Sequence, residues 1–420
     1  MTPDTTAGAG LPFDLRQLPT SFLDNPYPVY AALRSQSPVH PMPDGSWFLT
    51  RYADLVQVYR DATTFSSDKT VEFAPKYGTG TPLYEHHTHS LVFNDPPLHT
   101  RVRRLIMGAL TRRAIAEMAP GLTALVDQLL DRLENTGHGD LIEGYASAIP
   151  VDIIGNLLGV PQSDRGPLRG WSLAILGALE PTLTAEQAAL GHSSVTAFLN
   201  YLQDLVADRR RHPGNPEHDV LTRLIQGETH GDRLSETELL HNCIFLLNAG
   251  HETTTNLIGN ALVTLHDWPD ERDQLVARLR AQARDPEAQD HTLDLAVDEC
   301  LRFESSNQLG NRRALRDTEV GGVLLPAGAL VTLCIGAANR DPAVFAEPDR
   351  FDTSRTPNRH LAFGLGTHQC AGLSLARLEG RIAIGRFLQR WPQYTLTSPP
   401  VRGRRARFRG FLSVPFATGA

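Results

Sequence analysis

The order of apolar and polar positions divides the chain into many helical segments and a few strand-like runs. Residues 1–20 show no periodicity and read as a flexible tail; the patterned remainder, 21–420, reads as a single domain. Across residues 37–50 two apolar stretches flank Asp44-Gly45, which predicts a hairpin closed by a type I′ turn with positive φ at both central residues. A short helix is expected from about 52 to 60. Residues 66–92 lack periodicity and carry Pro75, Gly78, Gly80 and Pro82, so a long functional loop is expected. Asp95-Pro96-Pro97 predicts a helix start with Asp95 as the cap. Helical patterns fill most of 98–230, broken at 137–140, 159–161, 180–181 and 213–216. Residues 171–179 are apolar on nearly every side, which suits a lid over an apolar cavity.

The clearest element runs from 235 to about 266. Ser235 and Glu238 make a capping box, and Leu239, Cys243, Leu246, Gly250, Thr253 and Leu257 recur on one face. About 32 residues at a 1.5 Å rise make a helix of roughly 48 Å, long enough to cross a whole globule. Its centre breaks local rules: Gly250 costs about 1 kcal/mol against Ala, and Thr253-Thr254-Thr255 is a β-branched polar run. Such conflicts tend to mark functional sites. Short strand-like runs reappear between 320 and 335 around Gly321-Gly322, and a last helix is expected from about 373 to 391. The pattern is mainly α with a minor β portion.

Composition narrows the function. The 420 residues carry 40 basic and 47 acidic side chains, a net charge of −7, which argues against a protein that binds nucleic acid by neutralising phosphates. Four cysteines, Cys243, Cys300, Cys334 and Cys370, are widely spaced without a C-x-x-C pair, so neither a disulfide framework nor a zinc ribbon is indicated. No apolar run approaches the roughly 18 residues of a membrane span, and residues 1–10 lack the order of a signal peptide. A soluble protein in a reducing, cytoplasmic setting is expected.

The most informative segment is Phe363-Gly-Leu-Gly366-Thr-His368-Gln-Cys370-Ala-Gly372. A lone cysteine in a tight turn is ordinarily a small buried apolar residue. Here it stands at the start of the final helix, where the helix dipole favours an anion by about 0.3–1 kcal/mol. The glycines let backbone amides approach the sulfur. With no second cysteine and no general base beside it, a thiolate ligand to iron suits the segment better than a nucleophile.

This segment resembles the haem-ligand signature of the cytochrome P-450 superfamily, and further matches stand in that family's order. Ala249-Gly250-His251-Glu252-Thr253-Thr254 resembles its oxygen-binding stretch, and Glu299-Cys-Leu-Arg302 its E-x-x-R pair. Asn339-Arg340-Asp341-Pro342 with Pro348-Asp349-Arg350-Phe351 resembles the segment that completes that pair. Asp95 to Arg103 resembles the haem-facing helix of soluble bacterial members, and Asn25-Pro26-Tyr27-Pro28 also fits. The resemblance covers roughly residues 20–415. It implies the cytochrome P-450 fold, with haem b between the long central helix and the helix after the cysteine loop. It implies Cys370 as axial ligand to the haem iron, and His99, Arg103, Arg312 and His368 on the propionates. Phe363, Gly366, Ala249 and Gly250 would complete the haem surroundings. Glu299, Arg302 and Arg350 would be structural.

The implied activity is a haem-thiolate monooxygenase that uses dioxygen and inserts one oxygen atom into an apolar or semi-polar small molecule, by hydroxylation or O-dealkylation. Thr253 would hydrogen-bond the dioxygen as it is reduced, Glu252 would relay protons from solvent, and Gly250 would loosen the helix ladder to make room. The chain carries neither a dinucleotide fingerprint nor a ferredoxin cysteine set. Electrons from NAD(P)H would therefore arrive through a separate ferredoxin and ferredoxin reductase, docking on Arg104, Arg112 and Arg113. A monomer acting on a small-molecule substrate, with no nucleic-acid or membrane partner, is expected. Two other readings stay open: a haem-thiolate binding or sensing protein that does not oxygenate, and a peroxide-dependent peroxygenase. His86-His87-x-His89 matches a zinc set only if the loop folds tightly, and polar residues of a substrate loop are the other reading. After Arg302 the family's usual prolines are missing at Ser305-Ser306, so Asn307 is expected to present a polar group to the substrate. Val92, Asn248, Ala249, Asn307, Leu309 and Phe411 are the expected pocket residues; substrate identity is not legible.

Overall fold

In a computed structural model, residues 12–216, 219–227 and 233–418 are described; residues 1–11 of the expected tail lie outside them. The described part of that tail is not loose. Phe13 is buried, with its ring centroid 4.9 Å from that of Phe48 and 5.7 Å from that of Phe22. A single aromatic in an aperiodic stretch gives no helix or strand signal, yet burying it ties the segment down.

The architecture is mainly helical with small sheets. The central helix spans Glu236–Asp267, and its capping box is formed: the Glu238 amide donates to Ser235 Oγ at 3.2 Å and the Ser235 amide to Glu238 Oε2 at 2.8 Å. Its second half is buried on nearly every side. The helices Ala148–Leu158, Leu168–Gly177, Ala185–Arg211 and Pro286–Phe303 pack around it, and so does the helix after the cysteine, Leu373–Arg390. A principal sheet of five strands orders Val39–Pro41, Trp47–Leu49, Leu330–Cys334, Leu309–Ala314 and Phe65–Ser66. Trp47–Leu49 runs parallel to Leu330–Cys334, and every other pair in this sheet is antiparallel.

Three local expectations are corrected. The hairpin at 39–49 exists, but only Gly45 has positive φ, at 80°. Pro43 fixes its own φ near −65°, and the Gly45 amide donates to the Met42 carbonyl at 2.9 Å. The turn is therefore a type I turn ending in a left-handed glycine. Two successive positive φ values, 56° and 81°, occur instead at Gly321-Gly322, between the paired strands Thr318–Val320 and Val323–Leu325. Residues 66–92 are not one long loop: they hold the helices Thr70–Tyr77 and Pro82–His89, separated at Gly78 and Gly80. Helices this short are held by tertiary packing, which periodicity cannot reveal. Asp95 does not cap the next helix, which begins at Leu98; its carboxylate accepts from Ser66 Oγ at 2.5 Å and the Ser67 amide at 2.8 Å.

Candidate functional site

A cavity of about 340 Å³ lies between the central helix and the segment around the cysteine. The central helix contributes Phe245, Asn248, Ala249, Gly250, Thr253 and Leu257; Phe363, His368, Cys370 and Gly372 come from the cysteine segment. His99 and Arg103 enter one turn apart from the helix Leu98–Ala109, and Arg312 from the strand Leu309–Ala314. Thus Cys370, His99, Arg103, Arg312, His368, Phe363, Ala249, Gly250 and Thr253 are brought together. Gly366 is not at the wall. Its φ is 73°, and a Cβ there would stand 2.4 Å from the Tyr59 carbonyl, so it lets the cysteine segment lie against the helix Tyr52–Arg60. Gly250 lines the cavity and also meets a packing demand. The helix is unbroken through it, and a Cβ would meet Ile154 Cδ1 at 2.5 Å. Its bareness buys close packing with the helix Ala148–Leu158.

The Cys370 amide donates to the Phe363 carbonyl at 2.9 Å, which fixes the loop's return. Burial pushes the thiol up, while the Gly372 amide, Arg103 and Arg377 oppose that by favouring the anion. The final helix begins only at Leu373, so it is the Gly372 amide that reaches the sulfur. A bound metal ion would deprotonate such a thiol outright.

Nearby is a group of buried polar side chains short of partners. Both ring nitrogens of His99 and Nε2 of His368 are buried without a hydrogen-bond partner, and the two rings lie 4.0 Å apart. Burial and then Arg103 push His99 down to about 4; burial, then Arg312, His99 and Arg103 push His368 lower still. Among the described residues neither Arg103 nor Arg312 has a carboxylate within ion-pair distance. The Arg312 guanidinium lies 5.4 Å from the Tyr59 ring, while Arg313, alternate on the strand, pairs outward with Glu72 at 3.0 Å. Buried Lys69, which sequence reasoning missed, adds positive charge beside His368. Cationic and imidazole groups of this kind, gathered around one cavity with a single sulfur, fit a flat macrocycle that carries an iron and two carboxylates.

Thr253 Oγ donates to the Ala249 carbonyl at 2.7 Å. Glu252 turns away from the large cavity into a compartment of about 30 Å³, lined also by His251, Asn256, Arg405 and Phe411. Burial pushes its carboxyl up to about 7 even though Arg405 Nη1 donates to Oε1 at 2.5 Å; Oε2 has no partner. A second acid was not expected from sequence. Glu379, on the helix after the cysteine, lines the cavity with Oε1 unpartnered, and burial pushes it up to about 8. A glutamate on the apolar face of a helix was the signal that could have found it.

Val92, Asn248, Asn307 and Leu309 line the large cavity as expected; Phe411 does not, and Phe408 does. The strand Phe411–Ser413 carries Phe411 into the small compartment instead. Leu176 and Leu179, from the stretch expected to form a lid, line the cavity. His86 and His87 line it too, but among the described residues no group of three His, Cys, Asp or Glu side chains could hold a metal.

The E-x-x-R pair is fully buried. Arg302 Nε and Nη2 donate to Glu299 at 2.7 and 2.8 Å, and Arg302 also donates to the carbonyls of Asn339, Pro348 and Arg350. The second arginine is Arg355, not Arg350. Arg355 Nε donates to both Glu299 oxygens at 3.2 and 3.1 Å, whereas the Arg350 side chain is 56% exposed and reaches Glu347. Buried Phe351 sends the side chain before it outward, and Arg355, four residues on, returns to the cluster.

Comparison with known proteins agrees with this geometry. The family model described as Cytochrome P450 matches residues 181–405. The chain is 35% identical over 383 residues to a biotin biosynthesis cytochrome P450 of Bacillus subtilis, covering 90% of this chain and 92% of the relative. It is 38% identical over 388 residues to a vitamin D(3) 25-hydroxylase of Pseudonocardia autotrophica, covering 90% and 89%. Among solved structures, that of P450BioI in complex with an acyl carrier protein ligated to hexadec-9Z-enoic acid aligns with a TM-score of 0.87. It is 33% identical and covers 95% of this chain and 100% of that one.

Proposed function

The chain belongs to the cytochrome P450 family and is a monooxygenase. From that premise we propose that it inserts one atom of dioxygen into a small organic substrate, by hydroxylation or O-dealkylation, with electrons from NAD(P)H by way of a ferredoxin and its reductase. Residues 12–418 act as one catalytic domain in this reading. The observation that carries it is the convergence on one cavity of the Cys370 sulfur, Thr253, the unpartnered His99 and His368, and Arg103 and Arg312, which face no carboxylate among the described residues.

Cys370 would hold haem b from one face, with its anion favoured by the Gly372 amide and by Arg103. Arg103, Arg312, His99 and His368 would donate to the two propionates. When bound, the haem supplies oxygen activation, which the electron-rich thiolate promotes. Thr253 faces the cavity from the central helix and can pass its hydroxyl hydrogen bond from the Ala249 carbonyl to the oxygen. Next to it, Glu252 holds a proton near neutral pH, the condition for a relay that must both take and give one. The small compartment on its far side, lined by Arg405, would be the side from which the proton comes. Arg104, Arg112 and Arg113 are exposed and would receive an acidic ferredoxin.

Thr253→Ala tests the relay. The haem spectrum and substrate binding stay as they are, product per NADH falls several-fold, and hydrogen peroxide accounts for the difference. An unchanged ratio of product to NADH would remove Thr253 from the mechanism.

A further inference from the structure

Three arginines line the cavity, Arg103, Arg312 and Arg407, and among the described residues none of them pairs with a carboxylate. Elsewhere Arg302 and Arg355 pair with Glu299, and Arg409 with Glu304. Arg103 and Arg312 belong to the group around His99 and His368. Arg407 stands apart from it. It donates to Asn311 Oδ1, and Asn311 leaves the strand on the face opposite to Arg312. Its other bonds go to the carbonyls of Leu309 at 2.8 Å and Leu179 at 3.3 Å. All three acceptors are neutral, and each terminal nitrogen keeps a second N–H.

One acid stands near, and its charge favours the cationic forms of both Arg407 and Lys76. Glu180 accepts from the backbone amides of Ala406, Arg407 and Phe408 at 2.8 to 3.3 Å. Beside Arg407 stands Lys76, whose ammonium gives one bond to the Glu180 carbonyl at 2.7 Å and keeps two donors. His87 completes this end: it is buried, its Nε2 has no partner, and burial together with Lys76 keeps the ring neutral. Two cations beside one carboxylate leave a positive charge in surplus, and Arg407 presents it to an apolar cavity, where it asks for an anion.

We propose that Arg407, backed by Lys76 and His87, anchors the anionic head of the substrate, so that the substrate is a carboxylate with an apolar body. The body would lie along Val92, Phe93, Leu179 and Phe245 and bring its far carbons toward Thr253. This rests on the oxygenase reading only for what happens to those carbons; the anchor itself is a binding site.

The test uses decanoic acid and decan-1-ol, which share a chain and differ in the head. Each is titrated into the haem-loaded protein by the Soret spin-state shift, and again by calorimetry, which reads binding whatever the state of the iron. The acid binds about tenfold more tightly than the alcohol, the advantage of one charge-assisted contact. In Arg407→Gln that ratio falls to about one, Arg407→Lys restores most of it, and decanol affinity stays level in both. Lys76→Met, which leaves the contacts of Arg407 intact, lowers the ratio about threefold. Equal binding of acid and alcohol to the unaltered protein overturns the proposal, and so does an acid preference that survives in Arg407→Gln. Failure to load haem would count against the oxygenase reading alone, because calorimetry still reports the head-group preference.

Discussion

Two regions of this molecule bury charged side chains in opposite ways. Around Glu299 both carboxylate oxygens and the Arg302 guanidinium are fully engaged, by Arg355, Asn358, the Asp352 amide and three carbonyls. Around the cavity His99, His368, Asn248 and Glu379 keep buried polar atoms without partners, and Arg103, Arg312 and Arg407 pair with no carboxylate among the described residues. An unsatisfied buried polar group costs about 1–3 kcal/mol, so a fold that leaves several at one place keeps them for something it does not itself contain. A finished network marks scaffold; an unfinished one marks a receptor.

The sharpest way to break this contrast is to remove one member of the finished network. Arg302→Met leaves Glu299 charged and buried and should cost about 3–5 kcal/mol, so that little folded protein is recovered. A denaturation midpoint equal to that of the unaltered protein would end the scaffold reading. Next, Arg355→Gln should cost about 2 kcal/mol in denaturant unfolding while Arg350→Gln stays within about 0.5 kcal/mol; the reverse order would restore Arg350 to the cluster. On the receptor side, Arg312→Gln should release haem to apomyoglobin about tenfold faster, yet leave unfolding of the haem-free protein unchanged, because no internal ion pair is lost. A last expected effect lies in pH. Burial raises Glu379 from 4.5 to about 8, so the folded chain keeps a proton that the unfolded chain releases. Stability therefore falls as pH rises from about 4.5 to 8. Glu379→Gln should flatten that decline, as read from melting temperature against pH.

How far the sequence revealed these regions follows from the kind of signal each residue leaves. The central helix was legible because a capping box and a long one-face pattern are local, and the cysteine segment because its fixed residues stand within ten positions. The choice between Arg350 and Arg355 was not legible. It depends on which of two arginines in an irregular stretch turns inward, and Phe351 settles that only in three dimensions. Residues 66–92 misled for a related reason: Thr70–Tyr77 and Pro82–His89 are too short to show a period and draw their stability from neighbours remote in sequence. Arg407 left no local mark at all. Its meaning lies in what surrounds it, Asn311, Leu179 and Lys76, contributed by three separate stretches of the chain.

Arg409 bears on how the molecule is made. Its terminal nitrogens close on the carbonyls of Leu23 and Asp24, up to 386 residues upstream, and its Nε on Glu304, which also accepts from the Tyr27 hydroxyl. During synthesis the opening helices therefore lack this fastener until residue 409, some 386 positions later, has emerged from the ribosome.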